Sequence, residues 1–271
     1  MIIIKFGAAK LILKLKKKIL KKYRQYKMTL KQHLIFVSAN DKKIYDDLSH
    51  GKIYNKNEVQ LYIKTAGKTP INCRNNNNDF HVIYATFFQL YHLPAKKLKR
   101  DAVILDLGSN IGLTMRHLKY LYPKSKIIGV ELDRDNYLMA KKNLSGIKDC
   151  YLINAAIWYK DGFVNYEGSD SQSFHCVVNN DVAVQKKVKA YSLPALFGEY
   201  NLSKIDFVKM DIEGAESIIF KEDCSWLNCV QSLNLEVHNG EPLSRYVSIL
   251  EKYGFKCELS KKHWSAILAY K

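Results

Sequence analysis

The chain has 271 residues, 47 % of them apolar, and a formal net charge of +17. That length buries a full core and the apolar share is that of a folded globule. The six cysteines contain no Cys-x-x-Cys pair and read as reduced packing thiols, with no metal assigned to them.

The charge is concentrated at one end. Eleven basic side chains and no acid lie in residues 1–40, from Lys5 to Lys31. Leu11, Leu15, Ile19, Tyr23, Tyr26 and Leu30 recur at three- and four-residue steps, so residues 1–32 are predicted to form a helical arm with one apolar face among lysines. Lysines interrupt it too often for a membrane span, and the charges do not precede the apolar region as in a signal peptide. The arm is expected to lie on an anionic membrane surface, placing the protein in the cytoplasm or at the inner face of a membrane. The other readings are a helix docked on its own domain or in an oligomer, and a nucleic-acid contact. Lysine reads base edges less well than arginine, so no nucleic-acid partner is expected.

Residues 33–100 are predicted to cap the domain that follows. Val59 to Ile63 alternates like a short strand, Asn75–Asn78 is a polar loop, and Asp79 opens a helix with Val82, Ile83, Phe87 and Leu90 on one side. Pro94 and the lysines up to Arg100 read as a surface connection.

Residues 101–271 carry strands alternating with helices, which implies a mostly parallel sheet with ligands at the carboxyl ends of its strands. The apolar run Ala102–Leu105 leads into Asp106-Leu107-Gly108-Ser109-Asn110-Ile111-Gly112. A helix follows, with Ile111, Met115, Leu118 and Leu121 on one face until Pro123. Glycines let a ligand approach the backbone, and free N–H groups of the helix start are expected to point into the site. The next strand, Lys126–Val130, ends at Glu131. An acid at that distance beyond a glycine loop accepts hydrogen bonds from a ribose. An acidic residue opening the loop suits a cationic amino group and disfavours a pyrophosphate. S-adenosylmethionine carries that group and a ribose diol, and is preferred to a dinucleotide.

Further strands are predicted at Tyr151–Ile153, Phe163–Tyr166, Phe174–Val178 and Ser232–Val237. Helices are predicted from Asp135 to Leu144 and from Tyr246 to Tyr253, with a terminal hairpin from Lys256–Leu259 and Ser265–Tyr270. Another strand, Ile205–Met210, turns polar at its tip in Asp211-Ile212-Glu213-Gly214-Ala215-Glu216.

Together the glycine loop, Lys209-x-Asp211-x-Glu213-Gly214-Ala215-Glu216 and Glu236-Val237-His238 resemble the FkbM family of S-adenosylmethionine-dependent methyltransferases. The likeness spans residues 70–240 and includes Cys73-Arg74, Asp79-Phe80 and Val188 to Leu193. Pro194 departs from it, where the family carries an acid. The resemblance implies a class I, Rossmann-like α/β fold with a seven-stranded sheet. It also implies transfer of a methyl group from S-adenosylmethionine, leaving S-adenosylhomocysteine, to an oxygen, commonly a sugar hydroxyl of a glycan or glycolipid. The alternatives are O-methylation of a small natural product and a non-catalytic adaptor that binds cofactor and a membrane or partner.

On this reading Asp106, Gly108, Ser109, Asn110 and Gly112 hold the methionine part, Glu131 the ribose, Asn154 and Ala155 the adenine, Leu132 also contacts the cofactor, and Asp211 faces the methyl group. Asp211, Glu236 and His238 are candidates for removing a proton or orienting the acceptor. His238 has the most suitable unperturbed pKa, against a structural role at a strand end. Glu213 is shared between a catalytic and a helix-dipole role, and Glu216 reads as structural. Arg74 reaches a carboxylate of cofactor or acceptor, or makes a surface salt bridge. Asp211, Glu236 and His238 would also suit a metal, although none is assigned.

Overall fold

The protein is described by a computed structural model over residues 35–51, 57–167, 175–177 and 186–271. The basic arm of residues 1–32 and Phe174 lie outside the described residues. Among those described, no helix is long and apolar enough to cross a membrane.

The cap begins with helix α1 (Ala39–Ser49), which starts at a reciprocal cap between Ser38 and Asp41. Strands β1 (Glu58–Leu61) and β2 (Ile71–Arg74) pair antiparallel. Helix α2 (Asn77–Tyr84) is capped by Asn76, whose side chain accepts from the Asp79 N–H; Asp79, expected to open the helix, instead stands in its first turn. α2 widens into a π turn over Ala85–Gln89 and stops at Leu90, which is left-handed (φ 56°). Phe36, Tyr45, Phe80 and Phe88 pack with ring centroids 4.9–5.9 Å apart.

The main domain opens with β3 (Val103–Leu107), α3 (Leu113–Leu121), β4 (Lys126–Glu131), α4 (Arg134–Asn143) and β5 (Cys150–Asn154). α4 starts at Asp133 rather than Asp135, because the Asp133 carboxylate accepts from the Asp135 and Asn136 N–H groups. A second sheet contains β6 (Ala156–Ile157), β7 (Gly162–Glu167), β8 (His175–Val177) and β9 (Lys186–Tyr191). Ser192 then caps α5 (Leu193–Glu199), with Pro194 in its first turn. Proline is well suited there because that N–H has no helical partner, which gives Pro194 a physical role. The chain ends with β10 (Phe207–Met210), the short α6 (Glu216–Ile219), β11 (Ser232–Glu236), α7 (Leu243–Lys252), β12 (Lys256–Leu259) and β13 (Ala266–Tyr270).

The seven-stranded sheet runs β12-β13-β11-β10-β3-β4-β5. It is parallel except for β13, which lies antiparallel between β11 and β12. This is a Rossmann-like, doubly wound sheet, as the resemblance implies. β3 and β10 are neighbours but lead to strands on opposite sides, so the chain direction switches between them and a crevice opens at their carboxyl ends.

Side chains alternate along β3. Leu105 and Leu107 join a core built with Leu196, Ile219, Tyr246 and Leu250, while Ile104 meets Met115 and Leu118 on the other face. On that second face a polar row crosses the middle of the sheet, with Asp106 opposite Lys209 and Lys209 opposite Asn234. All three are buried. The cap covers the row, and Asn234 Nδ2 donates to the Tyr91 carbonyl (2.7 Å). Ile111, Leu113 and Met139 complete the cap's own core. Arg116, 2 % exposed, donates to the carbonyls of Ala66, Thr69 and Pro70.

Candidate functional site

A cavity of ≈ 310 Å³ occupies the switch point, the size of a small-molecule site. Its walls include Gly108, Ser109 and Asn110 from the loop after β3, Glu131 and Leu132 from the tip of β4, and Ala155 after β5. Asp211 and Glu213 enter from the tip of β10, and Glu236 from β11. The cap adds His81, Val82, Ala85, Gln89 and Tyr91.

The cofactor end is held by backbone. Gly108 has φ 83°, and a Cβ there would lie 1.8 Å from the Asp211 carbonyl oxygen, so only glycine allows β10 to end beside the loop. Gly112 packs α3 on α4, where a Cβ would lie 3.1 Å from Ala140 Cβ, and it does not line the cavity. The N–H groups expected to be free are engaged. Those of Gly108 and Ser109 donate to the Val130 carbonyl, and that of Gly112 donates to Ser109. Ile111 N–H donates to the Asn110 side chain, and Asn110 N–H donates to Glu131 Oε2 (2.7 Å). The other Glu131 oxygen accepts from the Asp133 N–H (2.8 Å). Burial raises the Glu131 carboxyl to about 7, against the lowering effect of these two bonds.

Two expected cofactor contacts, Asp106 and Asn154, and the expected substrate contact Arg74 take other roles. Asp106 is fully buried beneath the loop and does not line the cavity. Its oxygens have no hydrogen-bond partner and face the Lys209 ammonium, at 3.6 Å. Burial raises Asp106 to about 6 and Lys209 opposes the rise. Lys209 donates to the Gly108 carbonyl (2.8 Å), so one buried cation holds the loop and balances two acids. Asn154 donates to the Glu131 and Leu132 carbonyls, tying β5 to β4 instead of facing adenine. Arg74 is committed to Asp79 and Asn136 and stays outside the cavity; the salt-bridge reading describes it.

The reaction end is held by side-chain charge. His238 Nδ1 lies 3.1 Å from Glu216 Oε1, and Nε2 faces Asp211 (3.6 Å), Glu213 (3.5 Å) and Glu236 (3.7 Å). Burial would lower this imidazole, but the surrounding carboxylates outweigh it and push His238 up to about 9. At neutral pH it is therefore protonated, which corrects the expectation of a general base. Glu216 also accepts from the N–H groups of Ile212 and Gly214, and this supports its structural reading. Burial and Asp211 raise Glu213 to about 7 and Glu236 to about 8. Asp211 is lowered: burial opposes ionisation, but Lys209 at 3.2 Å and His238 prevail.

Two residues here escaped sequence reasoning. Tyr91 lies between the helix ending at Leu90 and the connection that starts at Pro94, with its hydroxyl 3.5 Å from Asp211 Oδ2. His263 stands in the β12–β13 turn, lines the cavity and has Nδ1 3.5 Å from Glu236. Burial lowers its pKa, so His263 is neutral where His238 is charged. The signal available was the sequence Lys262-His263-Trp264 between two short strands, which places an imidazole in a turn at the edge of the predicted hairpin.

The glycine loop that a Cβ would block, and the acid at the tip of β4, fit S-adenosylmethionine. Protein-family comparison matches residues 106–257 to the Methyltransferase FkbM domain. No curated protein sequence matches the chain. Among solved structures, it is similar to the fibrillarin pre-rRNA processing protein of Methanococcus jannaschii (15 % identity, 80 % of this chain and 84 % of that one, TM-score 0.42). It is also similar to the precorrin-6y C5,15-methyltransferase of Geobacter metallireducens GS-15 (14 %, 68 % and 86 %, TM-score 0.40). A third similar structure is Aeropyrum pernix fibrillarin with natively bound S-adenosyl-L-methionine (15 %, 67 % and 70 %, TM-score 0.39). The family match covers more than half of the chain and encloses both the loop and the strand-tip acids, and the protein belongs to the FkbM family of S-adenosylmethionine-dependent methyltransferases.

Proposed function

We propose that the protein methylates a sugar hydroxyl of a glycan or glycolipid. The observation that carries this reading is a neutral imidazole, His263, set beside carboxylates in the cavity wall. S-adenosylmethionine supplies an electrophilic methyl group on a sulfonium. The chain's part is to place a hydroxyl and take its proton. Asp211, kept ionised by Lys209 and His238, accepts a hydrogen bond from the acceptor hydroxyl, and His263 receives the proton. Glu131 and the Gly108–Asn110 loop hold the cofactor.

The rim supports a sugar. Tyr91 and His263 have ring centroids 6.3 Å apart, and His263 stacks on Trp264 at 6.3 Å. Trp264 is 82 % exposed. An aromatic face beside hydroxyl-accepting carboxylates matches a ring with an apolar C–H face and polar edges. A lipid-linked acceptor would agree with the lysines of residues 1–32, which would meet an anionic membrane.

The test is a screen of glycans and small natural products with methyl-labelled S-adenosylmethionine. The expected outcome is label on a hydroxyl oxygen, with kcat reduced about 100-fold in His263→Ala and S-adenosylhomocysteine affinity unchanged. Label found on nitrogen or carbon, or equal turnover in the variant, rejects the reading.

A further inference from the structure

We propose that Asp211, Glu213 and His238 hold a divalent cation at the reaction end of the cavity. One ligand atom from each lies within 4.8 Å of the others. The placement of the histidine points to a ligand. Glu216 is 1 % exposed and pinned by the Ile212 and Gly214 N–H groups, so it is a fixed acceptor at His238 Nδ1. Glu216 keeps the hydrogen on Nδ1, so a cation that displaces the Nε2 proton of the imidazolium meets a lone pair that faces Asp211, Glu213 and Glu236 at 3.5–3.7 Å. Hydrogen bonds from nitrogen to oxygen span about 2.7–3.2 Å, so these contacts are too long for good ones. They are near the spacing of atoms that share an ion: two ligands about 2.1 Å from a metal lie about 3 Å apart at a right angle, and further apart at wider angles. A carboxylate on the far ring nitrogen is the usual means of orienting a histidine ligand.

Charge points the same way. The carboxylates of Asp211, Glu213, Glu216 and Glu236 converge on one imidazole, with the Lys209 ammonium 3.2 Å from Asp211 on the inner side. A cation between them relieves their mutual repulsion. Carboxylate oxygens with one imidazole suit Mn²⁺ or a similar borderline-hard ion. Its use rests on the O-methylation reading. An acceptor hydroxyl bound to the ion has a lowered pKa. The O–H bond breaks, the electron pair stays on oxygen, and the proton passes to His263.

The experiment titrates Mn²⁺ alone into the full-length protein, by calorimetry and electron paramagnetic resonance, with S-adenosylhomocysteine titrated separately. One saturable site is expected, weakened at least tenfold in Glu213→Gln and in His238→Asn, with S-adenosylhomocysteine binding retained as the sign of an intact cavity. If His238→Asn does not fold, Glu213→Gln decides. No saturable site at millimolar Mn²⁺, or an unchanged affinity in Glu213→Gln, overturns the proposal. Methyl transfer to a hydroxyl without an Mn²⁺ site removes the cation and leaves the O-methylation reading. An Mn²⁺ site with label only on nitrogen or carbon does the reverse.

Discussion

The two ends of the cavity are built by different means. At the cofactor end, backbone geometry decides: a positive φ at Gly108, N–H donors onto the Val130 carbonyl, and a Glu131 carboxylate that accepts from two N–H groups. At the reaction end, carboxylates, an imidazole and an ammonium balance one another. Backbone geometry tolerates little substitution but its chemistry is constant. A charge cluster tolerates rearrangement, and its members' ionisation depends on all the others.

The largest effect is expected where the two ends touch. Gly108→Ala would place Cβ against the Asp211 carbonyl and force a positive φ on alanine, so loop and β10 must part. Urea denaturation should show a loss of about 4 kcal/mol or more, together with lost S-adenosylhomocysteine binding. A variant of near-parental stability that still binds would break the claim that backbone contact joins the two ends.

The imidazoles sharpen the contrast, because burial without carboxylates reverses the outcome at His238. His117 Nδ1 lies 3.0 Å from His92 Nε2 beneath the cap, and burial together with Lys262 lowers His117 to about 4. Its folded pKa is therefore below the ordinary 6.5, and the unfolded chain binds the proton more readily. The contribution to stability is full above pH 6.5 and is lost as pH falls toward 4. Between pH 7.5 and 4.5 this residue should account for about 2.5 kcal/mol of lost stability. His117→Gln should flatten the pH profile by that amount; an identical slope in variant and parent would show that His117 is not held neutral.

The smallest effect concerns Glu131. Glu131→Gln keeps one carbonyl acceptor but removes the charge, and calorimetry should show S-adenosylhomocysteine bound about tenfold more weakly, with the fold retained. Unchanged affinity would mean that Glu131 serves only the Asn110 and Asp133 N–H groups.

What was legible in the sequence follows the same division. The loop from Asp106 to Gly112, Glu131 and the Asp211 strand tip could be read because spacing along a strand, turn and helix sets where backbone goes. Asp106 is an instructive failure. Its place in the motif was right, but the two-residue alternation of β3 turns it under the loop toward Lys209. His238 was found, yet its protonation depends on how burial weighs against Glu216, Asp211 and Glu213, a balance that only the folded contact distances set. His263 depends on an antiparallel strand inserted between β11 and β12, which brings the Ser260–Ser265 turn beside Glu236. No local periodicity announces such an insertion.

The cap also sets the order in which the protein can take shape as it is made. Its aromatic cluster is complete in sequence by Phe88, but its core closes only on Ile111, Leu113 and Met139. Its hairpin is fastened by Asn143 to Asn72 and by Arg116 to the Ala66–Pro70 carbonyls. During synthesis the cap's apolar surface must therefore wait, for seconds at ordinary elongation rates, for partners encoded downstream. The segment that walls the cavity is thus open to aggregation until those partners have emerged.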